Sequence, residues 1–189
     1  LKSMDGGNSW TEANGNLGAS QYVRSIAVHP EDGNVVLVGI GACEGGKSSG
    51  GLYKTKDGGA SWHRASDKID FDGKGPSALL GEVISFNPQK PNVIAAGGES
   101  KGLFLSENGG ESWQRVDVAG PLKCGAHRIS SLQYNKSLDG HLTVGTFPDA
   151  EFKVAGLGMP ACKIPEQKGG GIYSVGEKKI SWGIQSYPG

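Results

Sequence analysis

The stretch GLYKTKDGGASW, residues 51–62, contains a polar turn that is repeated along the chain. The same pattern occurs as SMDGGNSW at 3–10 and as SENGGESW at 106–113, and a degraded copy, SVGEKKISW, spans 174–182. The Asp of such a turn can accept hydrogen bonds from backbone N–H groups that follow it, and the Gly pair can adopt positive φ. Each copy therefore predicts a tight hairpin between two strands. The positions that define the repeat are Ser3, Asp5, Gly7, Trp10, Thr55, Asp57, Gly59, Trp62, Ser106, Asn108, Gly110, Trp113 and Trp182.

A second repeated element lies between these turns. VHPEDGNVVLVG (28–39), FNPQKPNVIAAG (86–97) and YNKSLDGHLTVG (134–145) align without a gap. Each joins the end of one strand, through a polar turn, to a strand that ends in Gly. Combined with the first turn, this element predicts four antiparallel strands in each unit of about 50 residues. For the first complete unit we expect strands at 22–28, 34–40, 51–54 and 61–65.

Four-stranded units of this length are typical of the blades of an all-β propeller. The sequence has no window with the apolar spacing of an amphipathic helix. We expect the last hairpin of one blade in residues 1–16 and complete blades at 20–66, 78–118 and 127–187. About three and a half blades cannot close a ring. We therefore expect a larger propeller, whose remaining blades lie in the same protein, in another chain or in a second copy.

The composition excludes several classes of function. Lys and Arg together number 19, as do Asp and Glu, which gives no electrostatic reason to bind nucleic acid or an anionic membrane. No apolar stretch approaches the ~18 residues of a membrane-spanning helix. The sequence has no C-x-x-C motif, so neither a metal ion nor another cofactor is expected.

The S/T-x-D-x-G-x-x-W pattern resembles the Asp-box, or bacterial neuraminidase repeat, of sialidases, xyloglucanases, sortilin-type receptors and photosystem assembly factors. The third copy departs from it at Asn108, which can still cap the turn, and the fourth departs at Glu177 and Lys179. The resemblance implies a propeller in an extracytoplasmic location, in which the box itself is structural. It favours a secreted, glycoside hydrolase-like protein that acts on or binds glycans. The alternative is a non-catalytic propeller that binds or assembles with proteins.

The long, irregular connections at 41–50, 65–81, 119–126 and 146–171 are expected at one end of the blades, where loops on a rigid scaffold commonly carry function. A glycosidase needs two carboxylates. Asp149 and Glu151 are the candidate catalytic pair, because the apolar residues around them could raise a carboxyl pKa. The alternative is that both are solvated loop charges. The candidates for binding are Glu44, Glu99, His127 and Arg128. The other carboxylates expected at this end of the blades are Asp67, Asp70, Asp72 and Glu82.

The three cysteines, Cys43, Cys124 and Cys162, fall in the same connections. Cys124 precedes the third complete blade and Cys162 lies in the long loop of that blade, so these two could form a disulfide and leave Cys43 over. Three free thiols are the alternative. A disulfide would agree with an extracytoplasmic location.

Overall fold

The computed structural model of the protein describes residues 1–17, 22–41, 50–71, 81–98, 101–116, 129–135, 141–146, 172–176 and 179–183. It contains three antiparallel sheets of four strands each, and neighbouring strands in each sheet are consecutive in sequence. The strands are β1 (Tyr22–Val28), β2 (Val36–Gly41), β3 (Gly51–Thr55) and β4 (His63–Ser66) in the first sheet, β5 (Ile84–Phe86), β6 (Ile94–Gly97), β7 (Leu103–Ser106) and β8 (Gln114–Arg115) in the second, and β9 (Ile129–Asn135), β10 (His141–Thr146), β11 (Ile172–Gly176) and β12 (Lys179–Gly183) in the third.

The expected all-β fold of four-stranded antiparallel blades is confirmed. Within the described residues, helical structure is limited to one 3₁₀ turn, Gly15–Leu17. None of the helical structure in those ranges is long and apolar enough to cross a membrane.

Two strands of the first sheet, β2 and β4, begin two residues later than the apolar pattern predicts. In both cases a side-chain oxygen of an Asp accepts a hydrogen bond from a backbone N–H of the turn. The N–H of Asn34 donates to Asp32 Oδ1 at 2.9 Å, and the N–H of Ser61 donates to Asp57 Oδ1 at 2.8 Å. These local bonds extend the turns at the expense of the strands.

The sheets share an apolar core. Leu37 and Leu52 of the first sheet, Ile94 of the second and Leu142 of the third belong to one cluster of buried side chains. Burial of such side chains supplies the main favourable free energy for packing one sheet on the next.

Serine hydroxyls join the innermost strands of neighbouring sheets. Ser25 Oγ of β1 accepts a hydrogen bond from the N–H of Val83 at 3.1 Å. Ser85 Oγ of β5 accepts one from the N–H of Tyr134 in β9, also at 3.1 Å. Backbone donors that face a neighbouring sheet are thereby satisfied by side chains.

The glycine near the end of β2, and its counterpart at the end of β6, make room for an apolar side chain. A Cβ added at Gly39 would overlap the ring of Phe71, and a Cβ added at Gly97 would overlap the side chain of Ile129. Phe71 and Ile129 are both buried. In these two aligned segments the repeated Gly therefore follows from close packing, which leaves no space for a side chain.

The connections divide between two ends of the sheets. At one end of the first and second sheets, the repeated turn lies beside the turn that joins the first two strands of the same sheet. The N–H of Gly58 donates to Asn34 O at 2.9 Å, and the N–H of Gly109 donates to Asn92 O at 2.8 Å. We call this the turn end. The opposite end, which carries the irregular connections, is the loop end.

Candidate functional site

The repeated turns are built on a hydroxyl and a carboxylate two residues apart. In the second turn, Thr55 Oγ1 accepts from the N–H of Gly59 at 3.0 Å and donates to Asp57 Oδ1 at 2.7 Å. The other carboxylate oxygen, Oδ2, accepts from Ser61 Oγ. Gly58 and Gly59 have φ values of 69° and 94°, in the left-handed region that favours glycine. Both carboxylate oxygens are thus used to close the turn.

The third turn keeps this geometry with an amide in place of the carboxylate. Asn108 Oδ1 accepts from the N–H of Ser112 at 2.9 Å, and its Nδ2 donates to Ser112 Oγ at 2.9 Å. In the first turn, Asp5 Oδ2 instead accepts from Ser9 Oγ at 2.6 Å. The serine hydroxyl is therefore a donor opposite Asp and an acceptor opposite Asn.

Hydrogen bonds lower the pKa of both turn aspartates. The pKa of Asp5 is lowered to about 2, chiefly by the Ser9 hydroxyl. The pKa of Asp57 is also lowered, chiefly by the Ser61 hydroxyl. Donors aimed at a carboxylate favour its ionised form. A general acid near neutral pH needs a raised pKa, so these aspartates suit a structural role and not an acid–base one.

A buried lysine joins the turn end of the first sheet to that of the second. Lys54 is 4% exposed, and its Nζ donates to Gly109 O at 2.6 Å and to Glu111 Oε1 at 3.0 Å. Lys56 contacts the same Glu111 oxygen at 2.8 Å. The pKa of Glu111 is lowered to about 2, first by the hydrogen bond from Lys56 and then by that from Lys54. The three side chains form an ion-pair network between two sheets.

The repeats differ at the position just before the Ser or Thr that opens each turn, which is Lys2, Lys54 or Leu105. The ammonium of Lys2 lies against Gly58, in the position that a Cβ there would occupy. Lys2 and Lys54 thus each reach the Gly pair of the next turn. Leu105 stands at this place in the third copy, and the sequence that follows, SVGEKKISW, has no Gly pair. The sequence has Lys at this position in two copies, Lys2 and Lys54, but it did not predict that each ammonium contacts the Gly pair of the next turn.

Three of the carboxylates expected at the loop end lie in the described residues. Glu82 Oε2 accepts a hydrogen bond from Ser25 Oγ at 2.7 Å and another from the backbone N–H of Ile26 at 3.2 Å. It thereby links the first two sheets. Asp70 lies against Gly98, where a Cβ would overlap its Oδ1, and Asp67 is exposed. Of these three, Glu82 has a structural role that residue type alone did not reveal.

Of the remaining predicted site residues, Trp182 lies in the described part of the chain and the others lie outside it. Trp182 is in β12, where it pairs with Tyr173 of β11. Across the described ranges, no three His, Cys, Asp or Glu side chains come together as metal ligands. The predicted residues that lie outside these ranges are Glu44, Asp72, Glu99, His127, Arg128, Asp149 and Glu151, together with Cys43, Cys124 and Cys162.

The chain resembles known proteins in sequence. No protein-family model matches it. A xyloglucanase from Hypocrea jecorina (strain QM6a) is 26% identical to it over 124 residues. The matched region covers 61% of this chain and 15% of the xyloglucanase, so the chain spans a small part of that relative's length.

The chain also resembles solved structures. A GH74 enzyme from Niastella koreensis matches with a TM-score of 0.59 at 18% identity, covering 85% of this chain and 22% of the enzyme. The GH74 xyloglucanase from Xanthomonas campestris matches with a TM-score of 0.48 at 22% identity, covering 79% of this chain and 20% of that one. The first match shows a shared β-propeller fold. With the relative in sequence, it supports a glycoside hydrolase-like propeller.

Proposed function

We propose that this chain is part of a glycan-active propeller of the glycoside hydrolase type, which acts on or binds glycans through its loop end. The observation that carries the proposal is the 26% identity to a xyloglucanase over 124 residues. We infer that the three Gly-pair turns are Asp-boxes, since they hold the hydroxyl, the carboxylate or amide and the Trp of that repeat. An extracytoplasmic location belongs to the same proposal.

The proposed reaction is hydrolysis of a glycosidic bond in xyloglucan or a related polysaccharide. One carboxylic acid protonates the leaving oxygen, and a carboxylate attacks the sugar or activates water. Asp149 and Glu151 are the proposed pair, because Phe147 and Phe152 are apolar neighbours in sequence that would raise the pKa of the acid. The chain spans 15% of the related xyloglucanase, so one member of the pair can come from another part of the ring.

The loop end is favoured because three of the acids at the turn end have structural roles. Asp5 and Asp57 accept hydrogen bonds within their own turns, and Glu111 pairs with two lysines. The proposed sugar-binding residues are those expected at the loop end, where charged groups can bond to sugar hydroxyls. They are Glu44, Glu99, His127 and Arg128.

Hydrolysis of xyloglucan by the purified protein tests the proposal. Release of reducing ends is measured across a panel of polysaccharides for the unmodified protein, Asp149→Asn and Glu151→Gln. The control is Glu31→Gln, since Glu31 is exposed at the turn end. We expect each loop variant to lose roughly 10²-fold or more in rate, as removal of an acid or base does, and the control to keep full activity.

Calorimetric titration with xyloglucan oligosaccharides separates the two candidate functions. Binding without turnover, weakened by Arg128→Ala, would support a non-catalytic binding propeller. Absence of both binding and hydrolysis across the panel would contradict a glycan role for this chain.

A further inference from the structure

The sequence contains two Asn-Gly dipeptides, Asn14-Gly15 and Asn108-Gly109. In such a dipeptide the backbone nitrogen of Gly can attack the side-chain carbonyl carbon of Asn, because Gly has no Cβ to obstruct the approach. Whether this attack takes place in a folded protein depends on how the nitrogen and the side-chain amide are held. The two dipeptides differ in this respect.

Hydrogen bonds hold both reacting groups of Asn108-Gly109. The N–H of Gly109 donates to Asn92 O at 2.8 Å, so the nitrogen is fixed to the neighbouring turn. Asn108 Oδ1 accepts from the N–H of Ser112 and its Nδ2 donates to Ser112 Oγ, each at 2.9 Å. Attack on the amide requires these bonds to open, which carries a cost for each group left without a partner.

The second repeated turn protects an Asp-Gly dipeptide in the same way. The N–H of Gly58 donates to Asn34 O at 2.9 Å. Cyclisation at an Asp releases water and requires the carboxyl to be protonated, but the hydrogen bond from the Ser61 hydroxyl lowers the pKa of Asp57 and favours its ionised form. The hydrogen bonds that close these two turns thus also restrain a reaction to which their sequence is prone.

The dipeptide Asn14-Gly15 lacks this protection. The side chain of Asn14 is exposed, and within the described residues no group forms a hydrogen bond with its amide. The N–H of Gly15 likewise has no acceptor in the described part of the chain. The peptide unit that joins the two residues is bonded through its carbonyl, since Asn14 O accepts from the N–H of Leu17 at 2.9 Å. The attacking nitrogen and the amide under attack are both available.

The fold also prevents replacement of the glycine by a residue that would slow the attack. Gly15 has a φ of 47°, in the left-handed region that favours glycine. A Cβ at Gly15 would overlap the main-chain carbonyl of Ala60. The residue that makes the dipeptide reactive is therefore required by close packing.

We propose that Asn14 is a site of spontaneous deamidation. The nitrogen of Gly15 loses its proton and bonds to Cγ of Asn14, the bond from Cγ to Nδ2 breaks, and ammonia leaves with the proton. Water then opens the resulting five-membered succinimide ring at one of its two carbonyls and gives Asp or isoaspartate. The net change replaces ammonia by water and needs no other reactant. This inference is independent of the proposed action on glycans.

The site lies between two contacts that hold Trp62 of the first sheet. Ala13 O, on one side, accepts from Trp62 Nε1 at 2.9 Å. Asn16, on the other side, accepts from the N–H of Trp62 at 2.7 Å and donates to Trp62 O at 2.9 Å. In isoaspartate the main chain runs through the side-chain carbonyl and is one carbon longer. We expect this extra carbon to displace one contact relative to the other and so to loosen the attachment of residues 13–17 to the first sheet.

Peptide mapping by mass spectrometry tests the proposal. The folded protein is incubated at mildly alkaline pH, which favours the deprotonated nitrogen, and the fraction of amide converted to acid is followed at both Asn residues. We expect Asn14 to convert at least about tenfold faster than Asn108, because Asn108 reacts only when its turn opens. In urea, where both dipeptides are unfolded, the two rates should become similar.

Two variants separate isoaspartate from the acid itself. Asn14→Gln should stay unmodified and keep its urea midpoint after the same incubation, because its longer side chain disfavours ring closure. Freshly purified Asn14→Asp, which has the acid and a normal main chain, should also keep the midpoint. The incubated unmodified sequence should unfold at lower urea, in proportion to its isoaspartate content.

Two results would overturn the proposal. One is an equal rate of conversion at Asn14 and Asn108 in the folded protein. The other is an unmodified Asn14 in the folded protein over a time in which both residues convert in urea. An unchanged urea midpoint in protein that has formed isoaspartate at this position would overturn the proposed effect on the contacts with Trp62.

Discussion

Lys54 donates a hydrogen bond from its ammonium to the main-chain carbonyl of Gly109, 2.6 Å away, and so ties the turn end of the first sheet to that of the second. The lysine is buried, whereas its ionic partner Glu111 has a side chain that is 51% exposed. An ion pair that is open to water on one side contributes little. We therefore assign most of the stabilising effect to the charged hydrogen bond with the carbonyl.

Replacement of Lys54 by Leu, the residue at this place in the third repeat, should destabilise the protein by about 1–3 kcal/mol, because Gly109 O loses a charged donor. Urea unfolding measures the change. Lys56→Leu is the control, since Lys56 is exposed and its loss should cost less than about 0.5 kcal/mol. An equal loss of unfolding free energy in the two variants would show that the ion pair with Glu111, and not the hydrogen bond to the Gly109 carbonyl, stabilises the protein.

Gly39→Ala and Gly97→Ala should each destabilise the protein by about 1–3 kcal/mol, the usual cost of overpacking a core. The added methyl would overlap Phe71 in one case and Ile129 in the other. Thermal unfolding followed by circular dichroism measures the effect. Gly33→Ala is the control, because a Cβ there has no neighbour within 4 Å. A cost as large for Gly33→Ala would refute the packing explanation.

Stability should fall as the pH drops from about 4 towards 2. The usual pKa of an aspartate, 3.8, is lowered to about 2 for Asp5 and is also lowered for Asp57. A lowered folded-state pKa stabilises the fold above the unfolded pKa, and this contribution is lost as the pH falls through the folded value. Urea midpoints measured from pH 5 to pH 2 report the loss.

The variant Asp57→Asn reproduces the third turn, in which Asn108 bonds to a serine without titrating. It should fold and should have a shallower dependence of stability on pH than the unmodified protein. An unchanged slope would mean that the second turn does not contribute to acid sensitivity.

Alkylation of the denatured, unreduced protein should modify one cysteine and leave two protected, if Cys124 and Cys162 form the proposed disulfide. Peptide mapping should place the modification at Cys43. After reduction, all three cysteines should react. Three modified cysteines before reduction would support free thiols instead.

Much of the fold could be predicted because it depends on interactions between residues that are close in sequence. The turn at 55–62 depends on Thr55, Asp57 and Ser61, which bond to one another within a few residues, so its sequence pattern carries its geometry. The aligned strands follow from alternating apolar residues and turn chemistry in the same way.

Contacts between distant residues could not be predicted. Glu82 was a candidate acid by residue type, but its partner Ser25 is 57 positions away and belongs to another sheet. The sequence shows the repeated Gly, but not why it is needed. At Gly39 the reason is the ring of Phe71, which lies in a connection outside the aligned segment and fills the space that a side chain would need. The predicted catalytic and binding residues of the loops stay predictions, since they lie outside the described residues.

The hydroxyl of the last serine in each turn has a consequence for how the repeat can change over evolution. A hydroxyl both donates and accepts, so Ser112 receives a bond from Asn108 where Ser61 gives one to Asp57. Exchange between Asp and Asn then needs only a rotation about one C–O bond and no second substitution. Every copy that keeps this serine can therefore exchange Asp for Asn, or the reverse, by a single substitution. The surface charge of the turn end can vary in this way while the hairpin stays intact.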